Sequence, residues 1–252
     1  MAHKEQLAFI SLVRDCFIQT GIGELSILEI GSYDVNGSIR KFFPGASYTG
    51  VDLCAGPGVD LVGFGHEVDL PSESLDIAIS CECFEHDPNW VSTLGNMYRM
   101  TKPGGMVAVT CATTGRLEHG TRRTASEFSP GTQFVGLDYY RNLERADFER
   151  EFDLGAMFSD HLFFTMPTSF DLYFIGWKKG DTPFVGDKKE FGRRVERIRR
   201  IRKFRFKLYD LPVNIARPFM REASFQDFAC AYYNKIKPFR RFIKSLTHPN
   251  KP

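Results

Sequence analysis

Leu28-Glu29-Ile30-Gly31-Ser32-Tyr33-Asp34-Val35-Asn36-Gly37 is the stretch on which the fold turns. The run Ser26-Ile27-Leu28-Glu29-Ile30 is short, largely apolar and closed by Gly31, the pattern of a strand buried on both faces. An acidic residue followed by glycines puts free backbone N–H groups at a strand-to-helix turn, where they can meet an anion or a carboxylate. Asp52 ends the next apolar run, about 20 residues on, where a carboxylate can accept both hydroxyls of a ribose.

Outward from this turn the pattern repeats. Residues 48–53, 75–80 and 106–111 are further apolar runs, the last directly after Pro103-Gly104-Gly105, and helix-compatible segments such as 90–100 separate them. Such alternation predicts βα units and a doubly wound, mostly parallel sheet, an α/β fold. Upstream, Leu7, Ile10, Val13 and Phe17 fall on one face of a helix, opposite Lys4, Ser11 and Asp15, that ends near Gly21 and Gly23. Downstream, residues 115–140 read as a long loop of the kind that carries function, 142–152 as a helix and 169–177 as a closing strand. The chain divides into a core over 1–180 and a basic, partly helical extension over 181–252.

Of the 252 residues, 42% are hydrophobic and 25% charged, which excludes disordered, collagen-like and membrane-spanning classes. Arg14 and Asp15 interrupt the N-terminal apolar stretch and no small-residue cleavage site follows, so a cytoplasmic protein is expected. The cysteines, Cys16, Cys54, Cys81, Cys83, Cys111 and Cys230, form no C-x-x-C pair and read as buried thiols. A net charge of +2 hides an asymmetry, because Lys and Arg crowd into 178–244 while the first hundred residues lean acidic.

A nicotinamide-binding turn requires G-x-G-x-x-G, and here Tyr33 fills the second glycine's place, where it would crowd a pyrophosphate. The chain instead resembles the class I S-adenosylmethionine (SAM) dependent methyltransferases over roughly 25–179. Leu28-Glu29-Ile30-Gly31 is similar to their first motif, and Gly50-Val51-Asp52-Leu53 to their ribose-binding strand end. Asp69-Leu70-Pro71 with Ser74 to Ser80 resembles the approach to their fourth strand, and Lys102-Pro103-Gly104-Gly105 the turn before their fifth. The resemblance implies a Rossmann-like, seven-stranded sheet and SAM as cofactor. It further implies that Glu29 and the Gly31–Ser32 backbone hold the methionine end, with Gly37 opening the helix. Asp52 and Leu53 would hold the ribose, the Gly65-His66-Glu67 region the adenine, and Ser80-Cys81-Glu82 would lie near the sulfonium. Tyr33 and Val35 replace later glycines of the usual first motif, and His66 stands where an acidic residue is common.

Methyl transfer needs alignment, and a base only where the acceptor must lose a proton. His86 after the fourth strand and His119 after the fifth are the candidate catalytic bases, with a helix-capping or supporting role as the alternative for His86 and substrate contact as a further role for His119; His161 reads as structural. Glu85, His86 and Asp87 with Asp138 form a possible oxygen and imidazole set for a divalent ion, but without a second carboxylate cluster no metal is expected. Arg122, Arg123, Asp138, Tyr139 and Tyr140 form a candidate acceptor-binding lid, arginines for an anionic group and tyrosines for a ring face. Arg193, Arg194, Arg197, Arg199, Arg200, Arg202, Lys203, Arg205 and Lys207 offer a surface for an anionic membrane or RNA, or else a solvated helical face. Cys81-Glu82-Cys83-Phe84 lacks the Asn/Asp-Pro-Pro-aromatic motif of nucleobase amine methyltransferases. The expected activity is O-methylation of a small molecule or glycan. Its rivals are RNA methylation and a nucleic-acid- or membrane-docking protein with a degenerate SAM site.

Overall fold

The computed structural model describes residues 3–18, 21–167, 169–180, 187–198, 209 and 211–247. It forms two compact units, 1–203 and 204–252. The first unit holds seven strands: β1 (Ser26–Ile30), β2 (Ser47–Asp52), β3 (Leu61–Val62), β4 (Leu75–Cys81), β5 (Thr101–Ala112), β6 (Phe158–Met166) and β7 (Asp171–Lys178). Their order across the sheet is β3-β2-β1-β4-β5-β7-β6, with β7 antiparallel to both neighbours and the other pairs parallel. This is the doubly wound, Rossmann-like sheet that the apolar runs predict. Strand order reverses at β1, which has β2 on one side and β4 on the other, so the ligand crevice of such a sheet falls at their carboxyl ends.

Because side chains alternate across a strand, β1 sends Ile27 to one face and Leu28 and Ile30 to the other. On the first face lie α1 (Lys4–Phe17) and, from the basic region, α6 (Lys188–Ile198), through Phe9, Ile10, Val13, Phe191 and Val195. Phe9 sits at the centre, its ring 4.4 Å from that of Tyr173 and 5.9 Å from that of Phe191. The second face is covered by α2 (Trp90–Met100), α4 (Arg145–Glu151) and α5 (Leu154–Met157), with Trp90, Leu94, Met97 and Phe148 fully inside. Between them, α3 (Pro130–Phe134) is a single turn within the long loop.

Two expectations change. No helix follows β1: Asp34 accepts the Gly37 N–H at 2.6 Å, and Asn36, Gly37 and Ser38 are weak helix formers, so the segment stays irregular until a short 3-10 turn at Arg40–Phe42. Gly37, with φ of 136°, is a turn residue and opens no helix. β6 did not register as a strand in the sequence because it is a half-exposed edge strand of mixed pattern, FSDHLFFTM. In the second unit, α7 (Leu211–Ala216) and α8 (Glu222–Thr247) are joined by a hydrogen bond from the Tyr232 hydroxyl to the Tyr209 carbonyl at 2.8 Å, close to α7. Arg199, Arg200, Arg202, Lys203, Arg205 and Lys207 lie outside the described residues. Among those described, no helix is long and apolar enough to cross a membrane.

Glu29 points to the α1 face, where the Tyr48 hydroxyl donates to it at 2.7 Å. Burial pushes its carboxyl up from 4.5 to about 7. The folded chain therefore holds a proton that the unfolded chain releases between about pH 4.5 and 7, so this group lowers stability as pH rises through that window. In Glu29→Gln the stability difference from wild type should grow in the variant's favour between pH 4.5 and 8 in denaturant titrations, and a pH-independent difference would show the assignment wrong. Phe9→Ala should lose about 3 to 5 kcal/mol in the same assay, with a loss under about 1 kcal/mol contradicting its central place.

Candidate active site

The register aligns Ile30 with Val51 of β2 and with Ser80 of β4, so Gly31, Asp52 and Glu82 emerge together at the sheet's carboxyl edge. Gly31 has φ of 82°, and a Cβ placed there would stand 2.6 Å from Cβ of Cys83. Only glycine permits both the turn and the contact. From this point the chain folds back on β2: the N–H groups of Gly31 and Ser32 both donate to the Val51 carbonyl, at 2.9 and 3.0 Å, and that of Asp34 to the Pro57 carbonyl at 2.8 Å. The turn's donors, expected to be free for a ligand, are spent within the fold.

What the turn positions instead is Asp52. Its Oδ2 accepts the Tyr33 N–H at 3.0 Å and its Oδ1 the Leu53 N–H at 2.7 Å, which leaves lone pairs on both oxygens for a diol. Burial raises its pKa, and those two bonds oppose the shift. Opposite it sits Gly131 of α3, where an added Cβ would collide with Oδ1. The loop thus closes over the carboxylate at a residue with no side chain.

The cleft so formed is lined by Gly31, Asp52, Leu53, Phe64, Glu82 and His86, with Phe128 to Thr132 and Leu137 as its outer wall. Among the residues expected at the cofactor, Gly31, Asp52, Leu53 and Glu82 come together there. Ser32 is buried beside Gly50, while Cys81 lies in the core beneath α1. Phe64 and Gly65 present the 3-10 turn at the adenine end, but His66 and Glu67 stay outside the lining, His66 with its ring against Phe64. From the long loop it is 128–132, Phe-Ser-Pro-Gly-Thr, that reaches the cleft, a stretch that composition marked only as loop. Arg122 and Arg123 are exposed: the Arg122 N–H meets Asp138 at 2.9 Å, and the Arg123 guanidinium meets Glu118 at 2.8 Å. Tyr139 lies outside the lining, whereas Tyr140 turns inward and its ring stands 5.4 Å from His86 and 5.2 Å from His119.

At the end of β4, two groups of buried polar side chains flank the cleft. Glu82, at a positive φ of 53°, belongs to an ion-pair network. In it His3 stands 2.9 Å from Asp171 and 3.6 Å from Glu82, and Arg116 3.0 Å from Asp171. Burial acts to raise the Glu82 pKa, and the charges of His3 and Arg116 overcome it and hold the carboxylate well below its usual range. This network, with members from the N-terminal region, the end of β4, the loop after β5 and the start of β7, had no local sequence signal. The second group is Glu85, His86 and His119, with the two rings 5.1 Å apart. Burial lowers His86 to about 3 and pulls His119 down, aided there by Arg116 and His86, so both imidazoles are neutral at pH 7. Such rings are weak general bases at that pH.

A family model described as a methyltransferase domain matches residues 28–109, the span from β1 into β5. Among solved structures, phosphoethanolamine N-methyltransferase 2 of Haemonchus contortus, in complex with S-adenosyl-L-methionine, aligns at 16% identity and a TM-score of 0.50. That alignment covers 68% of this chain and 52% of that one, so the chain spans about half the length of that relative. The 1,6-didemethyltoxoflavin-N1-methyltransferase of Burkholderia thailandensis, with bound 1,6-didemethyltoxoflavin and S-adenosylhomocysteine, aligns at 14% identity over 70% and 78% of the two chains, with a TM-score of 0.46. No curated protein sequence matches significantly. The chain has the class I methyltransferase fold, and residues 28–109 match the model of a methyltransferase domain.

Proposed function

We propose that this chain is a SAM-dependent methyltransferase that transfers the methyl group to a hydroxyl oxygen of a small molecule or glycan, in the cytoplasm. The observation that carries the reading is the Asp52 carboxylate, held by two backbone N–H groups at the edge of a cleft that runs to the end of β4. Bound there, SAM supplies an electrophilic methyl group on its sulfonium. Asp52 accepts the ribose hydroxyls, and Phe64 and Leu53 give the adenine an apolar slot. Glu82, ionised in its network, puts negative charge where a sulfonium is to be held. The wall at 128–132 excludes water and leaves room for an acceptor of modest size beside His86. Cys16, Cys54, Cys81, Cys83 and Cys111, none of them in a disulfide, suit a reducing compartment.

Calorimetric titration with S-adenosylhomocysteine should give micromolar binding in the wild type. Asp52→Ala should weaken it about 10- to 100-fold, the loss of one or two charge-assisted hydrogen bonds. A wild type that does not bind, or a variant that binds equally well, contradicts the site. Hydroxylated acceptors, glycans first, are then screened with mass spectrometry to locate the methyl group, and transfer to nitrogen or carbon alone would overturn the oxygen assignment.

A further inference from the structure

Beside the cleft, three buried side chains bring unpartnered polar atoms close together. Both carboxylate oxygens of Glu85, Nδ1 of His86 and Nε2 of His119 are inaccessible and hydrogen-bond to no protein group. Glu85 is fully buried, and the two histidines are 6% and 7% exposed. His119 Nε2 stands 4.0 Å from the nearer Glu85 oxygen, beyond hydrogen-bond reach, and one donor atom from each residue lies within 4.8 Å of the others. Buried polar groups are almost always paired, so lone pairs left facing one point call for an occupant.

We propose that Glu85, His86 and His119 bind one divalent first-row transition-metal ion beside the cofactor cleft. Two imidazoles and a carboxylate match the ligand preference of such ions, and the two nitrogens favour them over magnesium or calcium. Ligand atoms each about 2.0 to 2.2 Å from a shared ion stand about 3 to 4.3 Å apart, so the observed spacing needs a closure of less than about 1 Å. The outer contacts select the right tautomers. His119 Nδ1 lies 3.0 Å from the Leu117 carbonyl and donates to it, which leaves the lone pair on Nε2. The His86 ring bonds to the Tyr139 backbone, which leaves Nδ1 for the ion. The Tyr140 ring packs against both imidazoles and restricts their rotation.

Three protein ligands leave coordination positions open, and His86 is shared between the trio and the lining of the cleft. The ion's role rests on the O-methylation reading: it binds the acceptor hydroxyl and lowers its pKa, and the proton passes to water. The oxygen lone pair then forms the new C–O bond as the methyl–sulfur bond of SAM breaks, leaving neutral S-adenosylhomocysteine. This supplies the deprotonation for which the neutral, buried histidines are poorly suited.

The test uses the full chain, stripped with chelator and titrated with Co²⁺ while its visible absorption is followed. S-adenosylhomocysteine titrations run in parallel. One equivalent of Co²⁺ should bind with ligand-field bands, and Glu85→Gln and His119→Gln should each weaken it at least about 100-fold while still binding S-adenosylhomocysteine. Absence of Co²⁺ binding in the wild type, or equal binding in the variants, overturns the site. Should the variants not fold, X-ray absorption of the wild-type Co²⁺ complex decides: two imidazoles among oxygen and nitrogen ligands support the assignment, and sulfur ligation overturns it. Co²⁺ bound by a protein that ignores S-adenosylhomocysteine would sink the methyltransferase reading and leave the metal site standing; the converse result would do the reverse.

Discussion

The approach of Gly31 to Cys83 is the constraint on which the cleft depends. Where β1 and β4 diverge, the two chains are too close for a side chain at position 31, and the backbone there takes a left-handed turn that glycine alone adopts without strain. That turn throws the following residues back over β2, where Val51, Asp52 and Pro57 absorb their N–H groups. The cost is that the N–H groups of Gly31, Ser32, Tyr33 and Asp34 are taken up within the fold. The return is a carboxylate at Asp52 whose position is held from two sides.

The end of β4 handles buried charge in two contrasting ways. Glu82 gives up the freedom of an ordinary strand residue, taking a positive φ, and is matched by His3 and Arg116, which also bind Asp171. This ties the first helix, the loop after β5 and the start of β7 to the floor of the cleft. Three residues further on, Glu85 has no cation within a hydrogen bond, and its neighbours are two neutral imidazoles. A buried carboxyl in that setting is driven towards its neutral form unless something positive joins it, and its pKa is indeed pushed up. The first cluster is internally paired, and the second leaves polar atoms unmatched.

The loop between β5 and α4 supplies what the sheet cannot. Its Gly131 meets Asp52, its His119 completes the trio with Glu85 and His86, and its Tyr140 steadies both rings. The cleft is thus built from a sheet edge on one side and a single long loop on the other, the usual division between scaffold and specificity in open α/β folds.

The apolar runs, their spacing and the carboxylate at Asp52 were legible in the chain because local periodicity and strand-end position depend on nearby residues alone. From them followed the doubly wound sheet, the first helix, α2 and the place of Asp52 at the carboxyl edge of the sheet. Residues 31–37 look like a helix start, yet Asp34 captures the Gly37 N–H and β2 captures the rest, a competition decided across strands. The partly exposed β6 left no periodic trace. His86 and His119 could be named singly, but their convergence on Glu85 across 34 residues, like the pairing of His3 with Asp171, exists only once the sheet is assembled. Sequence by itself determined most of the strands and the helices that cover them, since those rest on short-range pattern; tertiary structure alone decided which polar groups face one another inside, since their distances are set by the order of the strands.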